Sequence, residues 1–433
     1  MNTSERIAII DGCRTPFMRS GTAFYDLMAW ELGRFAVKGL VAKTGVSHRD
    51  IDFVIMGSVA TDIATTNVAR EIMLGAGLPP SIPAYTCTLA CVSANMAVTN
   101  GCDLIKTGQA ERVIAGGVES FSDPDIKISR RYRRFILDLT MYRRPKTLRG
   151  KLRLLKGMKL TDFIVPERPA IAEYSTGLIM GENADRLAAQ WGISREEQDW
   201  YAERSNRLSL DAIRSGRFLR ELVPVIVPGR SEAVLTDNGP REDATAERLA
   251  KLRPVFDRRY GTVTAGNSSF LTDGGSAILL MREDKAVALG MKPLGFIKSY
   301  AYAGADLRDD LLLGPAFSIP RALKLAGLSL SDIGVFEVHE AFAAQILGNV
   351  RALESKAFAR NYLDLPGPLG RVDFDRINTL GGSLSIGHPF GATGTRLITT
   401  CCNLLMDRNE QFGIVAGCAA GAVGSAIVIE NAG

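Results

Sequence analysis

Short apolar runs recur along the chain at residues 7–10, 53–56, 113–115, 335–338, 414–416 and 426–429, with helix-length patterns between them, as at 27–43, 93–107 and 394–406. These runs of three or four residues, interrupted by a polar residue only at Glu337, describe strands buried on both faces. Strands that alternate with helices describe an α/β chain with parallel or mixed sheets. Apolar residues make up 46% and charged residues 23%, which excludes a disordered or fibrous chain.

The rhythm also repeats. Residues 45–54 (GVSHRDIDFV) line up with 327–336 (GLSLSDIGVF): in both, a glycine closes a helix, a Ser and an Asp follow, and a strand begins. Further on, 113–116 (VIAG) matches 414–417 (IVAG), and the offset rises from 282 to 301 residues. The second copy therefore carries about nineteen more residues, for which the Pro/Gly-rich 363–370 is the natural place. The expected organisation is two similar α/β halves, 1–122 plus 253–288 and 289–433, around a dissimilar block at 123–252.

That block holds a helical run at 181–215 and an uneven share of the charge. The chain's formal net charge is only +5, too small for a dedicated nucleic-acid binder, yet 127–159 contains thirteen basic residues and one acidic residue, Asp138. Tyr132, Phe135, Ile136 and Leu139 keep helical spacing, Pro145 interrupts it, and Leu148, Leu152 and Leu155 resume it. Two short basic amphipathic helices follow, suited to an anionic membrane surface or an acidic protein partner, with contact through 127–160. The uncharged stretch 411–429 is long enough to span a bilayer, but its β-branched residues sit at the ends and Gly and Ala fill the centre. It reads as strand, glycine-rich turn, strand.

Seven cysteines, at 13, 87, 91, 102, 401, 402 and 418, are an odd number with no C-x-x-C pair, and the three histidines (48, 339, 388) supply no zinc spacing. Free thiols in a reducing compartment are expected. The first residues show no basic segment followed by an apolar run, so no targeting signal is read there.

Four places pair a reactive side chain with small residues. Cys91 (TLACVSAN, 88–95) precedes a helix, whose positive end favours thiolate, although such a cysteine taken alone is more often a buried small hydrophobe. His388 sits in the glycine-rich 381–394, which lacks the lysine of a phosphate-binding loop. Cys418 ends a buried strand before a tight turn. His339-Glu340-Ala341-Phe342 follows the strand at 335–338.

Together these motifs resemble those of the thiolase family. Cys91 in C-V-S-A is similar to the family's nucleophile motif, Gly387-His388-Pro389 to its G-H-P motif, and Cys418-Ala419-Ala420-Gly421 to its second-cysteine motif. Residues 262–273 (TVTAGNSSFLTD) and Met180-Gly181 resemble its pantetheine-side segments. H-E-A-F in place of the common N-E-A-F, with the basic helical insert, further resembles the thiolase (β) subunits of fatty-acid oxidation trifunctional complexes and their bacterial relatives. The resemblance covers essentially the whole chain.

The resemblance implies duplicated α/β halves in a layered αβαβα arrangement, with an inserted loop domain carrying the basic helices. It implies a 3-ketoacyl-CoA thiolase (acetyl-CoA C-acyltransferase) of β-oxidation, acting on medium or long chains by a ping-pong route through acyl-Cys91. In that route His388 is the base and Cys418 the acid, and His339 donates to an oxyanion directly or through water. The backbone N–H groups of Cys91 and Ala420 face the acyl oxygen, Ser269 touches the pantetheine arm, and Met180, Gly387 and Phe342 line the substrate side. CoA is a substrate, and no cofactor or metal is implied. The implied partners are a second copy of the chain and a hydratase/3-hydroxyacyl-CoA dehydrogenase α subunit, and the implied location is the bacterial cytoplasm, peripherally at a membrane. The rival readings are a ketoacyl synthase-like or acetoacetyl-CoA-forming condensing enzyme, a Cys–His hydrolase, and a non-catalytic lipid-surface scaffold. The Cys418 turn favours thiolase over synthase.

Overall fold

The computed structural model describes residues 6–60, 62–165 and 172–433. The first residues, on which part of the targeting reading falls, and 166–171 of the middle block lie outside them. Ten strands are present among the described residues: β1 (Ile7–Arg14), β2 (Met18–Arg19), β3 (Phe53–Gly57), β4 (Ala84–Cys87), β5 (Arg112–Glu119), β6 (Thr272–Arg282), β7 (Gly295–Gly304), β8 (Ile333–Val338), β9 (Phe412–Ala419) and β10 (Val423–Asn431). Nine of them run in the order β4-β3-β5-β6-β1-β7-β10-β9-β8, and β2 pairs β6.

That order is the same motif twice. β3-β5-β6-β1 in one half corresponds to β8-β9-β10-β7 in the other, with β3–β5 and β8–β9 parallel and the remaining pairs antiparallel. The sequence echo marks these counterparts. Gly45 and Gly327 both close helices in the left-handed conformation, at φ 66° and 70°, and a short 3-10 turn precedes β3 and β8 alike. The halves meet where β1 pairs β7 over residues 7–9 and 295–297, so the strands form one continuous sheet rather than two.

Period-two packing explains the apolar runs. Ala8, Ile10, Val54 and Met56 face one core, while Ile7, Ile9 and Ile55 face another. In the second half Ile414 and Ala416 face a third core, and Val415 returns to the shared one. Helices Ser93–Lys106 and Thr393–Arg408 pack on each other, and Thr393–Arg408 touches strands of both halves. Helix Ala29–Thr44 covers the far face of the first half and Gly314–Ala326 that of the second. The two halves of the one sheet thus have a helix layer outside each and the pair Ser93–Lys106 and Thr393–Arg408 between them, which gives the layered order.

The stretch 411–429 is β9, turn and β10, and no helix among the described residues is long and apolar enough to cross a membrane. The helical run at 181–215 is corrected to two helices, Met180–Gln190 and Arg195–Arg214. Gly192 takes φ 60° between them, and Ser194 caps the second with Glu197 in a capping box. The basic block forms helices Arg130–Thr140, Leu148–Leu154 and Leu160–Ile164, none of which has a buried residue.

Candidate active site

Strand ends and one loop before a helix carry the reactive residues. Cys91 follows β4 on a turn in which Ala90 takes φ 45°, a left-handed conformation that costs about 1–2 kcal/mol in a residue with a Cβ. Ser93 holds that turn closed: its Oγ accepts from the Leu89 N–H at 2.8 Å and donates to the Ala90 carbonyl at 2.7 Å. The loop of His388 lies against β5, where a Cβ on Gly117 would overlap the Gly391 carbonyl. Glu119, at the end of β5, accepts from the N–H groups of Ala60 at 2.8 Å and Gly391 at 2.9 Å, which ties that loop to the end of β3.

His339 extends β8, its N–H donating to the Ala416 carbonyl at 2.8 Å. The next residue is wholly structural. The buried Glu340 carboxylate accepts from Tyr201, Ser205, Asn378 and the Leu384 N–H. The segment before β6 ties the two histidine loops together, because the Ser269 N–H donates to the Ala341 carbonyl and the His388 N–H to Thr272 Oγ1.

These loops bring the sulfur of Cys91 and one ring nitrogen each of His339 and His388 within 4.8 Å of one another. The two rings lie against each other at a 35° tilt, with centroids 3.8 Å apart. Sequence spacing shows no metal-type ligand set, and it is the fold that brings one thiol and two imidazoles together. Their geometry does not suit an ion, because two imidazoles tetrahedrally bound to one zinc place their centroids about 5 Å apart.

Cys91 is half-buried and opens on a cavity of about 280 Å³ lined also by His388, Met180, Ser269, Phe342 and the aromatic rings of Phe256, Phe270 and Phe390. The backbone N–H of Ala420 is close enough to the Cys91 sulfur to favour its thiolate, and Cys418 is close enough that the Cys91 sulfur raises its pKa further above what burial alone does. Gly387 does not line the cavity. It takes φ 108° behind His388, where a side chain would meet Thr272.

Burial works against the thiolate that a helix N-terminus favours at Cys91. Burial pushes the Cys91 thiol up to about 12; the Ala420 N–H works against this, and Glu119 adds to it. A helix N-terminus is legible in sequence, but the loss of water around it is not. Burial, followed by the buried Arg396 cation, lowers His339 to about 3. His388 is lowered by burial, His339 and Arg396. Thiol and imidazoles are therefore all neutral at neutral pH.

Sequence reasoning missed Phe256, Phe270, Phe390, Glu119, Ser383 and Arg396. Phe390 directly follows His388-Pro389 and could have been found from the motif. Phe256 lies in the middle block with no pattern to mark it.

A duplicated α/β fold whose corresponding loops close on one thiol–imidazole cluster under an apolar cavity is the architecture of a cysteine-centred acyltransferase. The profile of the thiolase N-terminal domain matches residues 7–284, and that of the thiolase C-terminal domain matches 291–431. The chain belongs to the thiolase family. It is 48% identical to the mitochondrial trifunctional enzyme subunit beta of Bos taurus over 98% of this chain and 88% of that one. It is 44% identical to a 3-ketoacyl-CoA thiolase of Pectobacterium atrosepticum, covering 98% and 97%. The crystal structure of human mitochondrial 3-ketoacyl-CoA thiolase superposes over 100% of both chains with a TM-score of 0.84 at 30% identity.

Proposed function

We propose that this chain is a 3-ketoacyl-CoA thiolase of fatty-acid β-oxidation, and the observation that carries the reading is the Cys91–His339–His388 cluster at an apolar cavity. Thioester exchange needs a nucleophile that also leaves well, which favours sulfur over oxygen. Cys91 attacks the 3-keto carbon as His388 takes its proton. The Cα–Cβ bond breaks, leaving the acyl group on Cys91 and the enolate of acetyl-CoA, which Cys418 protonates. Acetyl-CoA departs, CoA enters, Cys418 removes its thiol proton, and the CoA thiolate takes the acyl group.

Two oxygens gain charge on this route. His388, once protonated, and His339 face the enolate oxygen, and the N–H groups of Cys91 and Ala420 face the acyl oxygen. Ser269 contacts the pantetheine arm, and Met180, Phe342 and the other rings receive the acyl chain. Their apolar character supports medium or long chains, as does Ile179 where short-chain relatives have His. CoA serves as a substrate and no separate cofactor takes part.

The test is CoA-dependent cleavage of a series from acetoacetyl-CoA to 3-ketohexadecanoyl-CoA, with products identified by mass. Acetyl-CoA and an acyl-CoA two carbons shorter are expected. Hydrolysis without CoA contradicts the reading, and so does condensation alone.

The proposal extends to the protein's surroundings: a homodimer in the cytoplasm, working with a hydratase/3-hydroxyacyl-CoA dehydrogenase α subunit and touching anionic membrane through 127–160. Leu148 is 73% and Leu160 75% exposed beside the basic residues. Leaving each in water forgoes about 1.5–3 kcal/mol, which favours a covering surface. Sedimentation with anionic but not neutral vesicles is expected, and equal sedimentation with both contradicts the membrane contact.

A further inference from the structure

Two hydroxyl groups behind the paired imidazoles determine which ring nitrogen carries the proton. Thr393 Oγ1 lies 2.6 Å from His388 Nδ1 and donates to the Pro389 carbonyl at 3.0 Å. A hydroxyl has one hydrogen and a carbonyl can only accept. Thr393 therefore spends its hydrogen on Pro389 and accepts from His388 Nδ1–H, leaving a lone pair on His388 Nε2.

Behind His339 the order reverses. Ser383 Oγ lies 3.0 Å from His339 Nδ1 and accepts from Arg396 Nη2 at 3.3 Å. A guanidinium can only donate, and among the described residues His339 Nδ1 is the one acceptor within reach of the Ser383 hydroxyl, so Ser383 gives its hydrogen to His339 Nδ1 and the ring proton sits on Nε2. Both Nε2 atoms are buried and have no hydrogen-bond partner of their own.

We propose that Ser383, anchored by Arg396, is a positioning residue that holds His339 as an Nε2–H donor, while Thr393 holds His388 in the opposite tautomer with Nε2 as acceptor. The adjacent rings then present a donor and a base to one substrate at the same time. Two rings in the same tautomer would offer two donors or two bases. Arg396 opposes a positive charge on either ring, so the difference between them lies in the tautomer rather than in charge. Its consequence for catalysis rests on the thiolase reading, but the tautomers themselves do not.

The chain has three histidines, and His48 is exposed. Two-bond 1H–15N correlation spectra of the whole protein labelled with 15N-histidine therefore resolve both rings, assigned by the signals missing in His339→Gln and His388→Gln. The expected result is an Nε2–H pattern for His339 and an Nδ1–H pattern for His388. The same tautomer in both rings, the reverse pairing, or a charged ring overturns the proposal even if thiolysis is observed. Thiolysis failing with both tautomers as expected overturns the catalytic reading alone. Ser383→Ala is expected to mix the His339 tautomers and lower kcat about 10- to 100-fold with little change in KM, and Ser383→Thr to restore both. An unchanged His339 pattern in Ser383→Ala overturns the role of Ser383, and if that variant does not fold, the parent spectrum still decides.

Discussion

His339 and His388 stand 49 positions apart in sequence, yet their ring centroids lie 3.8 Å apart, the rings tilted by 35°, beside the sulfur of Cys91. One ring extends β8, and the other sits in the loop before the helix Thr393–Arg408. Their contact is a product of the second half's fold, and several measurable consequences come from it.

His339 aims an unpartnered, buried nitrogen into the site. Removing one donor to a developing oxyanion costs on the order of 10²–10³ in kcat. His339→Ala is expected to lose activity within that range with KM little changed. A rise in KM at constant kcat would show that His339 only binds substrate.

The raised pKa of Cys91 predicts its chemical reactivity. Thiolate is the reacting form, so with the pKa near 12 the rate of alkylation by iodoacetamide should climb about tenfold per pH unit between pH 7 and 9 without levelling. Peptide mapping of the modified Cys91 reads this directly. A plateau below pH 8 would mean a low-pKa thiolate.

That contrast shows where sequence reasoning ends. Cys91, His388 and Cys418 were legible because each sits in a short loop of small residues whose character is local. The internal echo was legible because β3 and β8, like β5 and β9, meet the same packing demand. The continuity of the sheet was not, since it depends on three residue pairs between β1 and β7. β4 (Ala84–Cys87) was missed because it is short and has no apolar run. The protonation of Cys91, the pocket rings of Phe256 and Phe270, and the buried Arg396 depend on what the fold removes from water, which no local pattern reports.

Gly391 lets the His388 loop lie on β5. A Cβ there would press on the carbonyls of Val118 and Gly57. Backbone cannot yield as a flexible side chain can, and overpacking of this kind typically costs about 1–3 kcal/mol. Gly391→Ala should lower the denaturation midpoint and, by displacing His388, reduce kcat. Parent-like stability and activity would show that the close approach is not required.

Glu337, in β8, is buried 3.6 Å from Arg396. Burial raises its pKa to about 8 against the opposing pull of Arg396, and burial also lowers the pKa of Arg396. The folded state thus holds this proton more tightly than the unfolded chain does. The resulting stabilisation is complete below the ordinary carboxyl range and is lost as pH rises through about 8. Glu337→Gln cannot ionise, so denaturant titrations should show it gaining on the parent between pH 5 and pH 8. A constant difference across that range would mean that Glu337 ionises normally.

The central claim is that the acyl group passes through one particular sulfur. Mixing the protein with 3-ketohexadecanoyl-CoA without free CoA, quenching in acid and mapping peptides by mass tests it most directly. The account predicts a tetradecanoyl adduct on Cys91, released as acyl-CoA when CoA is added and absent in Cys91→Ala. An adduct on Cys418 instead, or full turnover by Cys91→Ala, would contradict it.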